Sequence, residues 1–275
     1  MSNRYPVKSR AKKSLGQNFL VDPQAARKIV DAAALRQDDT VLEIGAGKGA
    51  LTALLARRAK KVVAVEIDAS VLPVLRDTLR GLENVEIVHA DILGQALDTL
   101  VAAPFQVVAN LPYYITSAVL RHVLEGTPRP TRLVVTVQRQ VAQRIVAAPG
   151  KMSLLAVSVQ FYGTPRIVAR IPPGAFRPIP KVHSAVVRID CFESLPWEQV
   201  DEKTFFGVVR AGFAQRRKQL HNALASGLAL SAQQVHAALA AAHIEARRRA
   251  QSLSIAEWVT LSNALAPVMS SRYGR

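Results

Sequence analysis

From Val41 to about Ala148 the chain alternates short apolar runs with stretches of helical periodicity, and this limits the fold more than any other feature. The runs are Val41 to Ile44, Val62 to Ile67, Val85 to His89, Phe105 to Ala109 and Arg132 to Gln138. Ala50 to Arg58, Ala69 to Arg80, Ile92 to Val101, a stretch from about Thr116 and another from about Gln140 to Ala148 read as helices. Strands apolar on both sides are buried on both faces, as in a parallel sheet covered by crossover helices. The expectation is a doubly wound, Rossmann-like α/β domain.

On the N-terminal side, Asp22-Pro23 starts a helix, with Asp as cap and Pro in the first turn. On the other side, Leu154 to Arg170 is β-compatible and broken by Gly163 and Pro165, so Leu154 to Tyr162 is expected as a strand. Ala185 to Asp190 is a further strand, placed to close the far edge of the sheet. The prolines of Ile171 to Val182 exclude helix and central strand and make that segment an extended loop. Beyond about residue 193 the pattern is helical, including Thr204 to Leu224 and a helix capped by Ser254-x-x-Glu257 and running to about Leu265. Two domains follow, a Rossmann-like one over 1–192 with a flexible basic N-terminus (Met1 to Lys13) and a small all-helical one over 193–275.

The formal charge of +16, from 36 Lys+Arg against 20 Asp+Glu, suits a polyanionic partner, although a basic surface alone does not separate nucleic-acid binding from solubility. Cys191 is alone, so neither an internal disulfide nor a cysteine metal cluster is available, and His89, His183 and His221 are too dispersed in sequence for a zinc site. No secretory signal is read, and Asn222 to Ile244, although uncharged, holds the capping box Ser231-x-x-Gln234 and reads as two soluble helices. The expectation is a cytoplasmic monomer with no membrane segment and no metal.

Gly45-Ala46-Gly47-Lys48-Gly49 follows a strand and opens a helix, which lets backbone N–H groups approach a nucleoside cofactor. With Ala50 it also satisfies the dinucleotide pattern, so the loop alone does not separate a nicotinamide enzyme from a methyltransferase. Glu66 ends the next strand, where a carboxylate can accept from ribose hydroxyls, with Asp68 as a rival. Asp91 follows the third strand, placed for an adenine amino group or simply to cap the next helix.

Asn110-Leu111-Pro112-Tyr113 decides between these readings. An amino group conjugated to a purine is a weak nucleophile because its lone pair is spread into the ring. To attack a methyl sulfonium it needs its two N–H bonds held by acceptors that favour a pyramidal nitrogen. The Asn110 side-chain oxygen and the Leu111 carbonyl are such acceptors, Pro112 fixes the turn, and Tyr113 offers a stacking face. The alternative is a proline turn with a buried tyrosine.

On the nucleic-acid side, Phe176 is placed to cover the second face of an extruded base, with Arg177 and Lys181 near phosphate; a rigid linker anchored by one Phe is the other reading. Phe213 to Leu220 puts Arg216, Arg217 and Lys218 on one helix, and Arg247, Arg248 and Arg249 form a second basic patch, unless both are ordinary solvated faces.

Taken together, Ser14-Leu15-Gly16-Gln17-Asn18-Phe19-Leu20, Val41 to Thr52, Val65-Glu66-Ile67-Asp68, Asn110 to Tyr113, Phe176 to Ser184 and Phe213 to Leu220 closely resemble the ribosomal RNA adenine N6-dimethyltransferases, in the branch acting on the small subunit. The resemblance covers nearly the whole chain. It implies an S-adenosylmethionine-dependent methyltransferase sheet and dimethylation of two adjacent adenines near the 3′ end of 16S ribosomal RNA in a late small-subunit precursor. It also implies that Asn18, Leu20, Gly45, Gly47, Glu66, Asp91 and Asn110 touch S-adenosyl-L-methionine and that Tyr113 and Phe176 sandwich the adenine.

Overall fold

The computed structural model describes residues 16–197, 199–215 and 217–273, with side chains through 269. The basic segment Met1 to Lys13, Ser14, Leu15 and Arg216 lie outside the described residues. In chain order the strands are β1 (Phe19–Leu20), β2 (Thr40–Ile44), β3 (Lys61–Glu66), β4 (Val85–His89), β5 (Gln106–Asn110), β6 (Arg132–Gln138), β7 (Gly163–Ile171), β8 (Phe176–Arg177) and β9 (Ser184–Cys191). The helices are α1 (Pro23–Ala33), α2 (Thr52–Ala56), α3 (Leu72–Thr78), α4 (Thr116–Glu125), α5 (Arg139–Ile145), α6 (Leu154–Gln160), α7 (Glu202–Phe213), α8 (Leu220–Leu228), α9 (Ala232–Ala241) and α10 (Ile255–Tyr273).

Among the described residues, seven strands form one sheet in the order β4-β3-β2-β5-β6-β9-β7. β4, β3, β2, β5 and β6 are parallel, and β9 closes against β6 antiparallel. The chain winds outward from β2 to β4 and then returns to β5, so the strand order reverses between β2 and β5. Ligands bind outside the carboxyl ends of strands at such a reversal. β1 and β8 form a separate antiparallel pair, with Leu20 opposite Phe176. The expected proline-rich loop is therefore partly ordered, through a 3-10 turn (Pro173–Ala175) and then β8.

α1 starts as its sequence dictates: Asp22 Oδ1 accepts the Gln24 N–H at 2.8 Å, and Pro23 lies in the first turn. Its helical spacing buries Ala25, Ala26, Ile29, Val30 and Ala33 in a core shared with Val41, Val108, Val134 and Val186. Truncating Ile29 there to Ala costs about 2–5 kcal/mol.

Three sequence expectations are corrected. Leu154 to Tyr162 is not a strand but contains α6, capped by the Ser153 hydroxyl accepting from Ala156 N at 3.2 Å. Leu155 to Val159 are all buried, so no periodicity was present to separate helix from strand. Ile92 to Val101 is not one helix but two 3-10 turns, Ile92–Gly94 and Leu97–Thr99, separated by Gln95 in an extended conformation. The helix expected over Thr204 to Leu224 breaks after Phe213, and Arg217 and Lys218 lie in the turn before α8 rather than on a helix face.

The chain forms two compact units, one running to Ala142 and resuming at Thr164–Cys191, the other joining Gln143–Gly163 to the residues from Phe192 onward. This differs from the expected 1–192 span by the segment 143–163. The second unit holds that segment through aromatic packing: the Phe161 ring centre lies 4.3 Å from that of Phe205 and 5.3 Å from that of Phe206. The Tyr162 hydroxyl donates to Glu202 Oε2 at 2.7 Å, and Trp197 Nε1 donates to the Phe161 carbonyl at 2.8 Å. Both predicted caps are present, the Ser231/Gln234 box on α9 and the Ser254 hydroxyl accepting from Glu257 N on α10. Among the described residues no helix is long and apolar enough to cross a membrane.

Candidate active site

The carboxyl ends of β2, β3 and β5 open onto a cavity of about 250 Å3. β2 delivers Gly45 and Gly47, β3 delivers Glu66, the turn after β4 delivers Asp91, and β5 ends in Asn110 with Leu111, Pro112 and Tyr113 beyond it. The strap Gly16 to Phe19 and Phe176 complete the wall.

The glycine loop is pinned from both sides. Gly45 N and Ala46 N donate to the Val65 carbonyl at 2.9 and 3.2 Å, and Gly47 N donates to Glu66 Oε2 at 2.7 Å. Gly47 has φ of +56°, and a Cβ there would stand 3.2 Å from the Phe19 ring, so both the backbone shape and the close approach require glycine. Lys48 Nζ lies 4.8 Å over that same ring.

Glu66 is 4% exposed, so its carboxylate sits in the cavity wall and not at a solvated strand end. Its Oε1 accepts the Asp68 N–H at 2.7 Å, leaving further lone pairs for hydroxyl donors. Asp68 is also buried, but its carboxylate is taken by Gln17 Nε2 at 2.9 Å and by Ser70 N and Oγ at 3.0 and 2.7 Å. It ties the strap to the strand end and does not line the cavity. Asp91 lines the cavity, and its Oδ1 accepts from Leu93 N at 3.0 Å, so the helix-capping role is present.

Asn110 Nδ2 donates to the Asn18 carbonyl at 3.2 Å, so the amide oxygen is the atom left to accept. The Tyr113 hydroxyl pairs with Ser184 Oγ at 2.9 Å, which fixes its half-buried ring, and burial holds its phenol pKa above the usual value. Phe176 lines the cavity yet is 1% exposed, held by β8 against β1. Leu20 does not line the cavity; its side chain belongs to the core. Lys181 is exposed and away from the wall, and the Arg177 guanidinium is folded back onto the Gly174 and Phe176 carbonyls at 3.0 and 2.8 Å.

Sequence reading missed three contributors. Phe19 packs on the glycine loop through the β1–β8 pairing, which joins distant parts of the chain. Tyr114 is 62% exposed at the cavity, with its ring 3.0 Å from where a Gly16 Cβ would stand. Glu43, in the middle of the central strand β2, is 1% exposed, and its pKa is pushed up to about 8 by burial, with the Glu66 charge adding and the Thr52 hydroxyl opposing. A lone carboxylate inside an apolar run was the available signal.

Burial, with the Asp190 charge beside it, pushes the Cys191 thiol up to about 12. Among the described residues no three His, Cys, Asp or Glu side chains converge as a metal site. Of the arginine triplet, Arg247 and Arg249 are exposed. Arg248 instead grips the Glu257 carboxylate and the Ser252 carbonyl, the latter at 2.7 Å, and so braces the start of α10.

Residues 8–267 match the family model described as ribosomal RNA adenine dimethylase. The chain belongs to that family. Relatives named ribosomal RNA small subunit methyltransferase A are similar along almost their whole length. The one from Dehalococcoides mccartyi is 46% identical over 263 residues, covering 95% of this chain and 90% of the relative. The one from Geobacillus thermodenitrificans is 46% identical over 268 residues, covering 94% and 92%. Among solved structures, the 23S rRNA methyltransferase ErmE is 29% identical with a TM-score of 0.71, over 90% of this chain and all (100%) of that one. The dimethyladenosine transferase from Plasmodium falciparum, 23% identical with a TM-score of 0.75 over 90% and 98%, shares the fold. In this dimethylase the cavity joins the glycine loop on one side to the Asn110 tetrapeptide on the other.

Proposed function

We propose that the protein transfers methyl groups from S-adenosyl-L-methionine to the N6 atoms of two adjacent adenines near the 3′ end of small-subunit ribosomal RNA, in a late assembly precursor. The observation that carries this reading is that one cavity holds both a glycine loop braced by Glu66 and an Asn-Leu-Pro-Tyr turn. A nicotinamide dehydrogenase needs the first and has no use for the second.

The wall fits the cofactor by its chemistry. Gly45 and Gly47 leave the loop free of side chains, Glu66 accepts from ribose hydroxyls, and Asp91 accepts from the adenine amino group. Asn18 and Asn110, joined by the bond from Asn110 Nδ2 to the Asn18 carbonyl, would border the methionine end. When bound, S-adenosylmethionine supplies an electrophilic methyl on a sulfonium.

The chain's own residues prepare the nucleophile. Asn110 Oδ1 and the Leu111 carbonyl hold the two N6–H bonds, which draws the nitrogen toward a pyramidal shape with its lone pair aimed at the methyl. That nitrogen would take the methyl, the sulfonium leaving as the neutral thioether, and the methylated amino group would be acidic enough to lose its extra proton to water, so no strong base is needed among the residues here. Tyr113 stacks on the ring, a contact worth roughly 1–3 kcal/mol per stacked base, and Phe176, 1% exposed, forms the cavity wall that the base would press against. Catalysis here is positioning and electrostatics. Lys181, Arg217 and Lys218, with Arg216, bind RNA phosphates.

The test is incubation with labelled S-adenosylmethionine and immature small subunits. Label recovered as N6,N6-dimethyladenine supports the reading; competent particles that acquire none overturn it. Label entering large-subunit particles instead would move the substrate to the other ribosomal subunit.

A further inference from the structure

The helical unit carries a second cavity, of about 550 Å3, whose wall includes Arg144, Lys151, Leu154, Arg210 and Phe213. Three lining side chains are cationic and none is acidic. All three cations are exposed, and none forms an ion pair with a described residue.

Arg144 and Arg210 lie in the last turns of α5 and α7, where a cation is favoured by the helix dipole. That accounts for each separately but not for their meeting on one concavity with Lys151, which is on no helix. Lys151 is held there by its neighbours: Gly150 N and Met152 N both donate to the Gln251 carbonyl, at 2.9 and 3.1 Å. Like charges converging on one concavity sum to a positive potential that an anion relieves.

The rest of the wall limits which anion. Leu154 is 38% exposed and Phe213 is half-buried, so an apolar surface stands beside the cations. A free phosphate would use only the cations, whereas a nucleotide uses both. We propose that this cavity is a subsite for one nucleotide of the RNA, its phosphate held by Arg144, Lys151 and Arg210 and its base or ribose lying against Leu154 and Phe213. The assignment rests on the RNA substrate proposed above. It gives the segment 143–163 a purpose, since that segment supplies Arg144, Lys151 and Leu154 while α7 supplies Arg210 and Phe213.

The experiment uses the full chain with Arg144→Gln, Lys151→Gln and Arg210→Gln combined, and measures binding to immature small subunits as a function of salt. Loss of three phosphate contacts lowers the slope of log affinity against log salt by about 2, at roughly 0.7 per contact. The KM for RNA rises at least tenfold, while kcat at saturating RNA and S-adenosylmethionine affinity stay unchanged. Leu154→Ser weakens RNA binding with the slope preserved. A control removing the same charge at Arg27, Lys28 and Lys60 keeps the wild-type slope.

An unchanged slope in the triple variant overturns the proposal, as does an equal drop in the control, which would mean bulk charge. Inorganic phosphate at matched ionic strength is the remaining arm. If it competes with RNA at this cavity and Leu154→Ser has no effect, the site is a small-anion site and not a nucleotide subsite. Wild-type methyl transfer run in parallel separates the two readings: an inactive wild type fails the function, and an active wild type with an indifferent triple variant fails the subsite.

Discussion

The Glu66 carboxylate and the Gly47 backbone N–H meet at 2.7 Å, so the residue proposed to bind the ribose also braces the glycine loop. Glu66→Gln keeps the volume but presents an amide N–H to one of two backbone donors, Gly47 N or Asp68 N. Hydrogen bonds to a charged group are worth about 1.5–3 kcal/mol, so S-adenosylmethionine affinity falls roughly 10- to 150-fold. Calorimetry reads this directly, and an unchanged Kd would remove Glu66 from the cofactor site.

Asn110→Ala removes the amide acceptor and the bond to the Asn18 carbonyl. Loss of one preorganised polar group at a reacting centre costs about 100- to 1,000-fold in kcat. Single-turnover methylation should show that loss with RNA binding close to wild type. Equal losses in binding and rate would make Asn110 a structural residue.

Tyr113→Phe keeps the ring face and gives up only the 2.9 Å bond to Ser184, whose net worth is about 0.5–1.5 kcal/mol. Tyr113→Ala loses the stack as well and costs a further 1–3 kcal/mol or so. Comparing kcat/KM for the two variants isolates the ring. If both are equally impaired, the hydroxyl carries the effect.

Glu43 makes stability pH-dependent. Its carboxyl stays protonated in the folded protein up to about 8, against an ordinary value of 4.5, so between these values the folded state holds a proton that the unfolded chain has released. Stability is therefore full below that window and falls as pH rises through it, by at most about 1.4 kcal/mol per pH unit. Glu43→Gln should flatten the decline in Tm between roughly pH 5 and 8. Parallel curves for the two proteins would show that Glu43 is not the group responsible.

In the helical unit, a Cβ at Gly227 would stand 2.7 Å from Ala211 Cβ and 2.9 Å from Ala211 Cα, where α8 crosses α7. A backbone atom cannot swing aside, so Gly227→Ala should destabilise by about 1–3 kcal/mol. Thermal unfolding checks this, with Gly81→Ala as a weak comparison because only its φ of +81° opposes a side chain there.

The strand ends were legible because they follow a periodicity that the chain displays locally. Gly45, Glu66, Asp91 and Asn110 each terminate or follow a readable apolar run, and the parallel order brings them together. Phe19 was not legible, since its place over Gly47 depends on Leu20 pairing with Phe176 far along the chain. α6 was misread because burial on every side erases amphipathic contrast. The break after Phe213 was hidden for the opposite reason: polar residues such as Gln215, Arg217 and Lys218 suit an exposed helix and an exposed turn equally well.

The bond from Tyr162 to Glu202 spans 40 residues, and Phe161 waits for Phe205 and Phe206 beyond it. During synthesis the 143–163 segment therefore leaves the exit tunnel well before its aromatic partners, with apolar rings still uncovered. At about 5–20 residues per second that delay lasts roughly 2–8 seconds. A protein proposed to complete ribosomes thus spends its own birth depending on one, and a nascent chain stalled near residue 190 should bind chaperones that a chain stalled past about residue 250 does not.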